Sequence, residues 1–204
     1  MEGKDHWENI YQTKQLSEVS WYEPIPQTSL NIIDELGLSA DVAIIDIGGG
    51  DSLLADHLLA LGYTNISVLD ISSAAIERAK MRLGPKAVLV KWIISDMLLF
   101  NGTEKFDVWH DRAAFHFLTK PQDQQQYLYT ANKNLKEEGH LVLSTFSVNG
   151  PDKCSSLPVR QYSETKLTNL FIRYFTKIKC FIKHHTTPFQ TMQPFIFCIF
   201  QKNQ

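Results

Sequence analysis

Residues 42–52, VAIIDIGGGDS, constrain the fold more than any other stretch of the chain. A short, β-branched apolar run ends in three glycines and leads into SLLADHLLALG, whose leucines fall at helical spacing and stop at Gly62. The run reads as a strand buried on both faces, and Gly62 as a helix C-cap. Strand, glycine turn and helix make the first half of a βαβ unit. Repeated, such units build a parallel sheet with right-handed crossovers.

The repetition is visible. NISVLDIS (65–72) reads as a second strand and SSAAIERAKMRLG as a second helix, with a serine N-cap and Gly84 as its stop. KAVLVKWIISD is expected to supply a third strand and FDVWHD, from Phe106, a fourth. Residues 121–139, with Pro121 at the start and Gly139 at the end, read as a polar helix, and HLVLSTFS as the fifth strand. After Ser147 the rhythm changes. NGPDKCSSLPVRQYS is loop chemistry, SETKLTNLFIRYF a helix opening at Ser163, and KIKCFIKHH and FIFCIFQK two strand-like runs around a turn, which suggests an antiparallel hairpin.

With 204 residues, 44% of them hydrophobic, the chain can bury one substantial core, and we read one domain: a helical N-terminal extension or lid (1–40), an α/β core (41–147) and a loop, helix and hairpin (148–204). A formal net charge of −2, with Lys and Arg scattered, gives no strong nucleic-acid signal. The start of the chain carries charges throughout and no stretch approaches about 20 apolar residues, so neither a signal peptide nor a membrane span is expected, and a cytoplasmic protein is. Cys154, Cys180 and Cys198 are odd in number and far apart, which suits reduced thiols better than a disulfide framework or a metal site.

A glycine turn between a buried strand and a helix lets the backbone approach a ligand, while the helix start points free N–H groups at it. Gly48, Gly49 and Gly50 meet that need, although such a turn can also be merely tight. A dinucleotide fingerprint would require glycine at position 53, where Leu53 stands, which disfavours a nicotinamide oxidoreductase. The pattern D-x-G-x-G fits from Asp46. Asp70, with Ile71 beside it, closes the second strand, where a carboxylate can accept from both hydroxyls of a ribose or instead cap the next helix. Asp96 after the third strand can accept from an adenine amino group while Met97 covers the ring, or be an ordinary loop aspartate.

These positions at these intervals resemble class I S-adenosylmethionine (SAM)-dependent methyltransferases, with Ser52 where the family's last loop glycine is usual. The resemblance runs from about residue 40 to the end. It implies a Rossmann-like, doubly wound seven-stranded α/β sheet ending in an antiparallel hairpin, SAM as cofactor, Asp70 on the ribose and Asp96 on the adenine. HWENIYQTK…VSWYEP, WHDRAAFHFL, GPDKCSSLPVRQYS and HHTTPFQTMQPF also resemble a narrower group of small methyltransferases with a WHDRAxFHFL motif, mostly without an assigned acceptor.

The fourth strand should end beside the reacting methyl, because ligands bind at the carboxyl ends of strands in such sheets. It delivers His110, Asp111, Arg112 and His116. His110, Asp111 and His116 are candidate catalytic groups able to remove a proton from an amine, hydroxyl or thiol, while Asp111 and Arg112 could equally form a structural ion pair. Trp109, Phe115 and Phe117 would pack into the sheet or wall the pocket. Trp21, Tyr22, Arg112, Arg160, Tyr162, His185 and Gln193 are candidate acceptor contacts, with Trp21 alternatively an anchor for the N-terminal helix and His185 a strand-end histidine. Methyl transfer draws its rate from alignment, so a general base is optional. The expected enzyme methylates a small molecule or a protein side chain, the small molecule being the favoured of the two. The contrasting reading is a silent SAM-binding partner or sensor.

Overall fold

A computed structural model describes residues 2–204. Six helices, α1 (Glu2–Thr13), α2 (Gln27–Glu35), α3 (Leu54–Ala60), α4 (Ser73–Leu83), α5 (Pro121–Asn134) and α6 (Glu164–Phe171), surround the strands β1 (Ile44–Ile47), β2 (Ile66–Asp70), β3 (Val90–Ile94), β4 (Phe106–Arg112), β5 (Leu135–Phe146), β6 (Lys153–Cys154), β7 (Leu157–Pro158), β8 (Phe175–Thr186) and β9 (Met192–Lys202). The main sheet has the order β3-β2-β1-β4-β5-β9-β8, and β6 and β7 form a separate two-stranded ladder. Pairing is parallel from β3 through β5 and antiparallel from β5 through β9 to β8. This is the doubly wound seven-stranded sheet with a terminal hairpin that the alternating pattern implied.

The sheet is packed on both faces, which explains why β1 and β2 are buried at every residue. Leu30, Ile33, Leu54, Leu58 and Ile76 from α2, α3 and α4 cover one face through Ile44, Val68 and Val108. Tyr127, Leu128, Leu167 and Phe171 from α5 and α6 cover the other through Ile45, Ile47, Trp109 and Phe200. Expected caps are in place. The Ser72 side chain accepts from the Ala75 amide at the start of α4, Gly84 closes that helix at φ 55°, and Ser163 accepts from the Lys166 amide to open α6.

Three expectations are corrected. The helix from Pro121 stops at Asn134 rather than Gly139, because Leu135 is fully buried and pairs with Phe106 at the start of β5. A bulge with Glu138 at φ 61° then carries the strand on to His140. The third strand begins at Val90, the preceding Gly84–Leu89 forming a 3₁₀ turn. Cys180 and Cys198 are joined as a disulfide, since the hairpin places them directly opposite each other, and only Cys154 is a free thiol. Their distance in sequence hid a pairing that depends on register. No helix among the described residues is long and apolar enough to cross a membrane.

Leu167 is completely buried where α6 meets the sheet. Leu167→Ala is expected to cost about 2–5 kcal/mol in denaturant-induced unfolding, the usual cost of a truncated core leucine.

Candidate active site

The loop after β1 holds a backbone that only glycine adopts freely. Gly48 has φ 62° and Gly50 φ 46°, and a Cβ on Gly48 would lie 2.7 Å from the Ala114 Cβ. A Cβ on Gly50 would meet Asp70 Oδ2 and the Tyr11 hydroxyl, each at 2.8 Å. Beneath this loop Asp46 is buried. Its Oδ1 lies 2.7 Å from His110 Nδ1, its Oδ2 accepts from the Ser52 hydroxyl at 3.2 Å, and His110 Nε2 is 2.8 Å from Ser29 Oγ. One hydrogen-bond chain thus joins β1, β4 and α2 under the glycines.

A cleft opens at the carboxyl ends of β1, β2 and β3. Gly48, Asp70, Ile71, Asp96 and Met97 line it, and its cavity volume is about 200 Å³. Asp70 is 5% exposed, and Oδ1 accepts from the Ser72 amide at 2.8 Å. Burial drives its pKa up to about 7, the Asp46 charge adding to the rise and the Ser72 amide opposing it. Asp96 accepts from the Leu98 amide through Oδ1 at 2.8 Å. A smaller, adjoining pocket is lined by Asp46, Gly49, Ser52, Leu53 and His110, and it shares Tyr11, Trp21, Gly48 and Arg112 with the cleft.

Helix α1 forms the roof. Glu8 accepts from the Ser73 hydroxyl at 2.6 Å, the Ser72 hydroxyl at 2.7 Å and the Ala74 amide at 3.1 Å, and these donors hold its carboxyl below the ordinary range. A carboxylate at the amino end of α4 also suits the helix dipole. Arg78 donates to the Tyr11 and Lys14 carbonyls at 2.8 and 2.6 Å and pairs with Asp51 at 2.9 Å. Trp7 and Tyr11 are thereby fixed over the cleft.

The cluster on β4 divides. Arg112 lines both pockets, donates to the Trp21 carbonyl at 2.9 Å and pairs with Glu23 at 3.0 Å. His110 reaches only the smaller pocket and has both ring nitrogens engaged. Asp111 is fully buried and lines neither. Its Oδ2 accepts from Tyr127 at 2.8 Å and its Oδ1 from the Ala114 and Phe115 amides at 2.9 and 3.2 Å, so it fastens the turn that follows β4. Burial drives it up to about 6, opposed by the Tyr127 hydroxyl and these amides. The expected Asp111–Arg112 ion pair does not form, Arg112 pairing with Glu23 instead. His116 is also fully buried, with neither ring nitrogen hydrogen-bonded, and packs on Phe117 and Phe146. Burial, reinforced by Arg112, pushes its pKa down to about 3, which keeps it a neutral core ring. The expectation of Asp111 and His116 as groups facing an acceptor is therefore corrected by their burial.

Among the outlying candidates, Trp21 lines both pockets and Tyr22 the smaller one. Arg160, Tyr162, His185 and Gln193 line neither. Arg160 lies 3.4 Å from Gln124 Oε1, and Tyr162 belongs to the core against Phe115. His185 holds the N-terminal segment, with Nε2 2.7 Å from the Ser20 carbonyl oxygen and Nδ1 3.2 Å from Glu23. Gln193 pairs with His185 in the hairpin register. Trp7, Tyr11 and Cys154 line the cleft from the distinctive stretches HWENIYQTK and GPDKCSSLPVRQYS, where the sequence singles out no individual role for them, and Phe117 lines it as well. HWENIY was visible as a distinctive stretch, and a W-x₃-Y spacing puts both rings on one helical face.

Residues 45–141 match a family described as a methyltransferase domain. No curated protein matches the chain in sequence. Solved structures share the fold, three of them as follows. One, described with the conversion of a disulfide bond into a thioacetal group during echinomycin biosynthesis, is 18% identical with TM-score 0.80 and covers 98% of this chain and 93% of its own. The N-methyltransferase NodS from Bradyrhizobium japonicum, in complex with S-adenosylhomocysteine, is 18% identical with TM-score 0.68, covering 96% and 100%. The Burkholderia thailandensis 1,6-didemethyltoxoflavin-N1-methyltransferase, with bound 1,6-didemethyltoxoflavin and S-adenosylhomocysteine, is 16% identical with TM-score 0.70, covering 100% and 85%. The fold is that of class I methyltransferases.

If Asp111 fastens the turn, its removal strands three buried donors. Asp111→Ala is expected to lower unfolding stability by about 3–5 kcal/mol, and Asp111→Asn by less, because an amide oxygen retains part of the acceptor capacity. Urea midpoints of the two variants check this.

Proposed function

We propose that this chain is a SAM-dependent methyltransferase that moves a methyl group by in-line displacement to a small-molecule acceptor. The methyltransferase-domain match and the class I fold support SAM-dependent methyl transfer with SAM as cofactor. One observation carries the assignment to this cleft: a buried carboxylate, Asp70, with Oδ1 held by the Ser72 amide, packs so closely on Gly50 that a Cβ there would lie 2.8 Å from its Oδ2.

The residues present fit the group. Asp70 would accept from the ribose hydroxyls, Asp96 from the adenine amino group, and Ile71 and Met97 would flank the adenine. The smaller pocket, with Asp46 and His110 at its floor, would take the amino-acid end. Leu53 stands where a dinucleotide site needs a third glycine. SAM supplies a methyl group already attached to a good leaving group, so the protein's work is to align donor and acceptor and exclude water. The docked α1 roof serves both purposes and favours a small acceptor over a protein side chain. A silent cofactor-binding module is the contrasting reading, and His110 and Asp111 are tied into the scaffold. Turnover, and not the cluster, separates those two readings.

Hydroxyl donors favour the ionised form of Asp70, so binding should lower its pKa from about 7. Affinity for S-adenosylhomocysteine, measured calorimetrically, is expected to be full above pH 7 and to fall by up to about tenfold per pH unit below it. Asp70→Asn should weaken binding about 10- to 100-fold at pH 8, the weight of one or two hydrogen bonds to a charged acceptor, and flatten the pH dependence. Unchanged binding in Asp70→Asn would refute the placement of the ribose.

A further inference from the structure

The acceptor side of the cleft is a box of aromatic rings. Trp7 meets Phe117 edge-on with centroids 5.0 Å apart and Trp21 edge-on at 5.7 Å, and Tyr11 lies 6.5 Å from Trp21. Ala113, Ala114 and Leu118 complete the apolar wall, and α1 covers it. Flat, apolar molecules suit such walls, because ring faces and edges pack on one another and shed water.

The groups that could take a proton from an acceptor here are committed. His110 is held by Asp46 and Ser29 through both ring nitrogens. Glu23 is bound by Arg112 at 3.0 Å and His185 at 3.2 Å, partners that outweigh its burial and keep it ionised and occupied. Asp51 is clamped between Arg78 and Arg82. Asp70 and Asp96 lie on the ribose and adenine side, and His116 is sealed behind Phe117. Tyr11 is held protonated by burial and by the charges of Asp70 and Asp51, and the Cys154 thiol is driven up to about 11 by burial. Both therefore remain neutral at physiological pH, and a protonated Cys154 does not compete for the methyl group. Tyr22 is confined to the smaller pocket.

Charge narrows the choice further. Arg112 brings a guanidinium to the cleft, its Glu23 partner leaves no carboxylate free for a cationic amine, and a bound sulfonium adds a second positive charge. We propose that the acceptor is a small aromatic thiol that enters already ionised, so that its sulfur attacks without help from a protein base. The inference rests on the methyltransferase reading above. The acceptor sulfur forms a bond to the methyl carbon and the bond between that carbon and the sulfonium breaks. The electron pair stays on the leaving sulfur, which becomes a neutral thioether, and no proton moves. A thiolate is polarisable and more weakly hydrated than an alkoxide, so an apolar box costs it less.

The test uses the full chain with SAM and three matched acceptors, thiophenol, phenol and aniline, with methylated products measured by mass spectrometry against protein-free controls from pH 6 to 9. S-methylation of thiophenol is expected, with phenol slower by at least about a hundredfold, since it lacks the contribution of a general base. The pH–rate inflection should follow the acceptor, moving to lower pH when a ring nitro group makes the thiol more acidic. Methylation of phenol or aniline at a rate equal to that of thiophenol, or an inflection that stays fixed when the thiol changes, would overturn the proposal. So would the absence of any methylated product while S-adenosylhomocysteine still binds by calorimetry, an outcome that leaves the cofactor reading intact. Failure to bind S-adenosylhomocysteine at all would remove both.

Discussion

The chain of hydrogen bonds from Ser29 through His110 and Asp46 to Ser52 is the interaction on which the site depends. It spans α2, β4, β1 and the end of the glycine loop, with Ser29, His110 and Asp46 buried and Ser52 at the surface. In the buried part each bond is strengthened and each broken one is costly. With Asp46 tied down, the loop above it keeps Gly48 and Gly50 in left-handed conformations, and the carboxyl ends of β1 and β2 stay open. His110 therefore acts as a strut in the floor rather than as a reagent. The same applies to Asp111 one residue on, which braces the turn carrying Ala113 and Ala114 into the cleft.

Closure comes from a second set of charges. Glu8 and Arg78 bind α1 to α4 by capping the start of α4 and taking up the Tyr11 and Lys14 carbonyls, interactions that fix the roof. A roof held this way positions Trp7 and Tyr11 without using them for anything but shape. The site is thus rigid below, covered above and almost free of uncommitted titratable groups between. That distribution suits a reaction whose barrier is lowered by alignment and dehydration rather than by proton transfer.

The sheet was legible because its strands are local events. VAIIDI and SVLD announce themselves by β-branching and full burial, Ser72 and Gly84 by the ends of α4, and the reversed hairpin by two apolar runs around a turn. Asp70 was legible as well, since its place at a strand end follows from the pattern. The acceptor side was not, because proximity there is non-local. Nothing near Trp7 says that it meets Phe117 across more than a hundred residues, and nothing near His116 says that its ring is enclosed by Phe117 and Phe146. A histidine in a sequence looks available until burial removes it. Cys180 and Cys198 make the same point, since they meet only through the register of β8 on β9.

The account's central claim is that one cleft, over the carboxyl ends of β1 to β3, holds the methyl donor. A crystal structure of the chain grown with S-adenosylhomocysteine tests it most directly. The account predicts both ribose hydroxyls on the Asp70 carboxylate, the adenine against Met97 with its amino group at Asp96, and the sulfur facing the rings of Trp7 and Phe117. A ribose bound away from Asp70, or a sulfur turned away from the aromatic box, would contradict it.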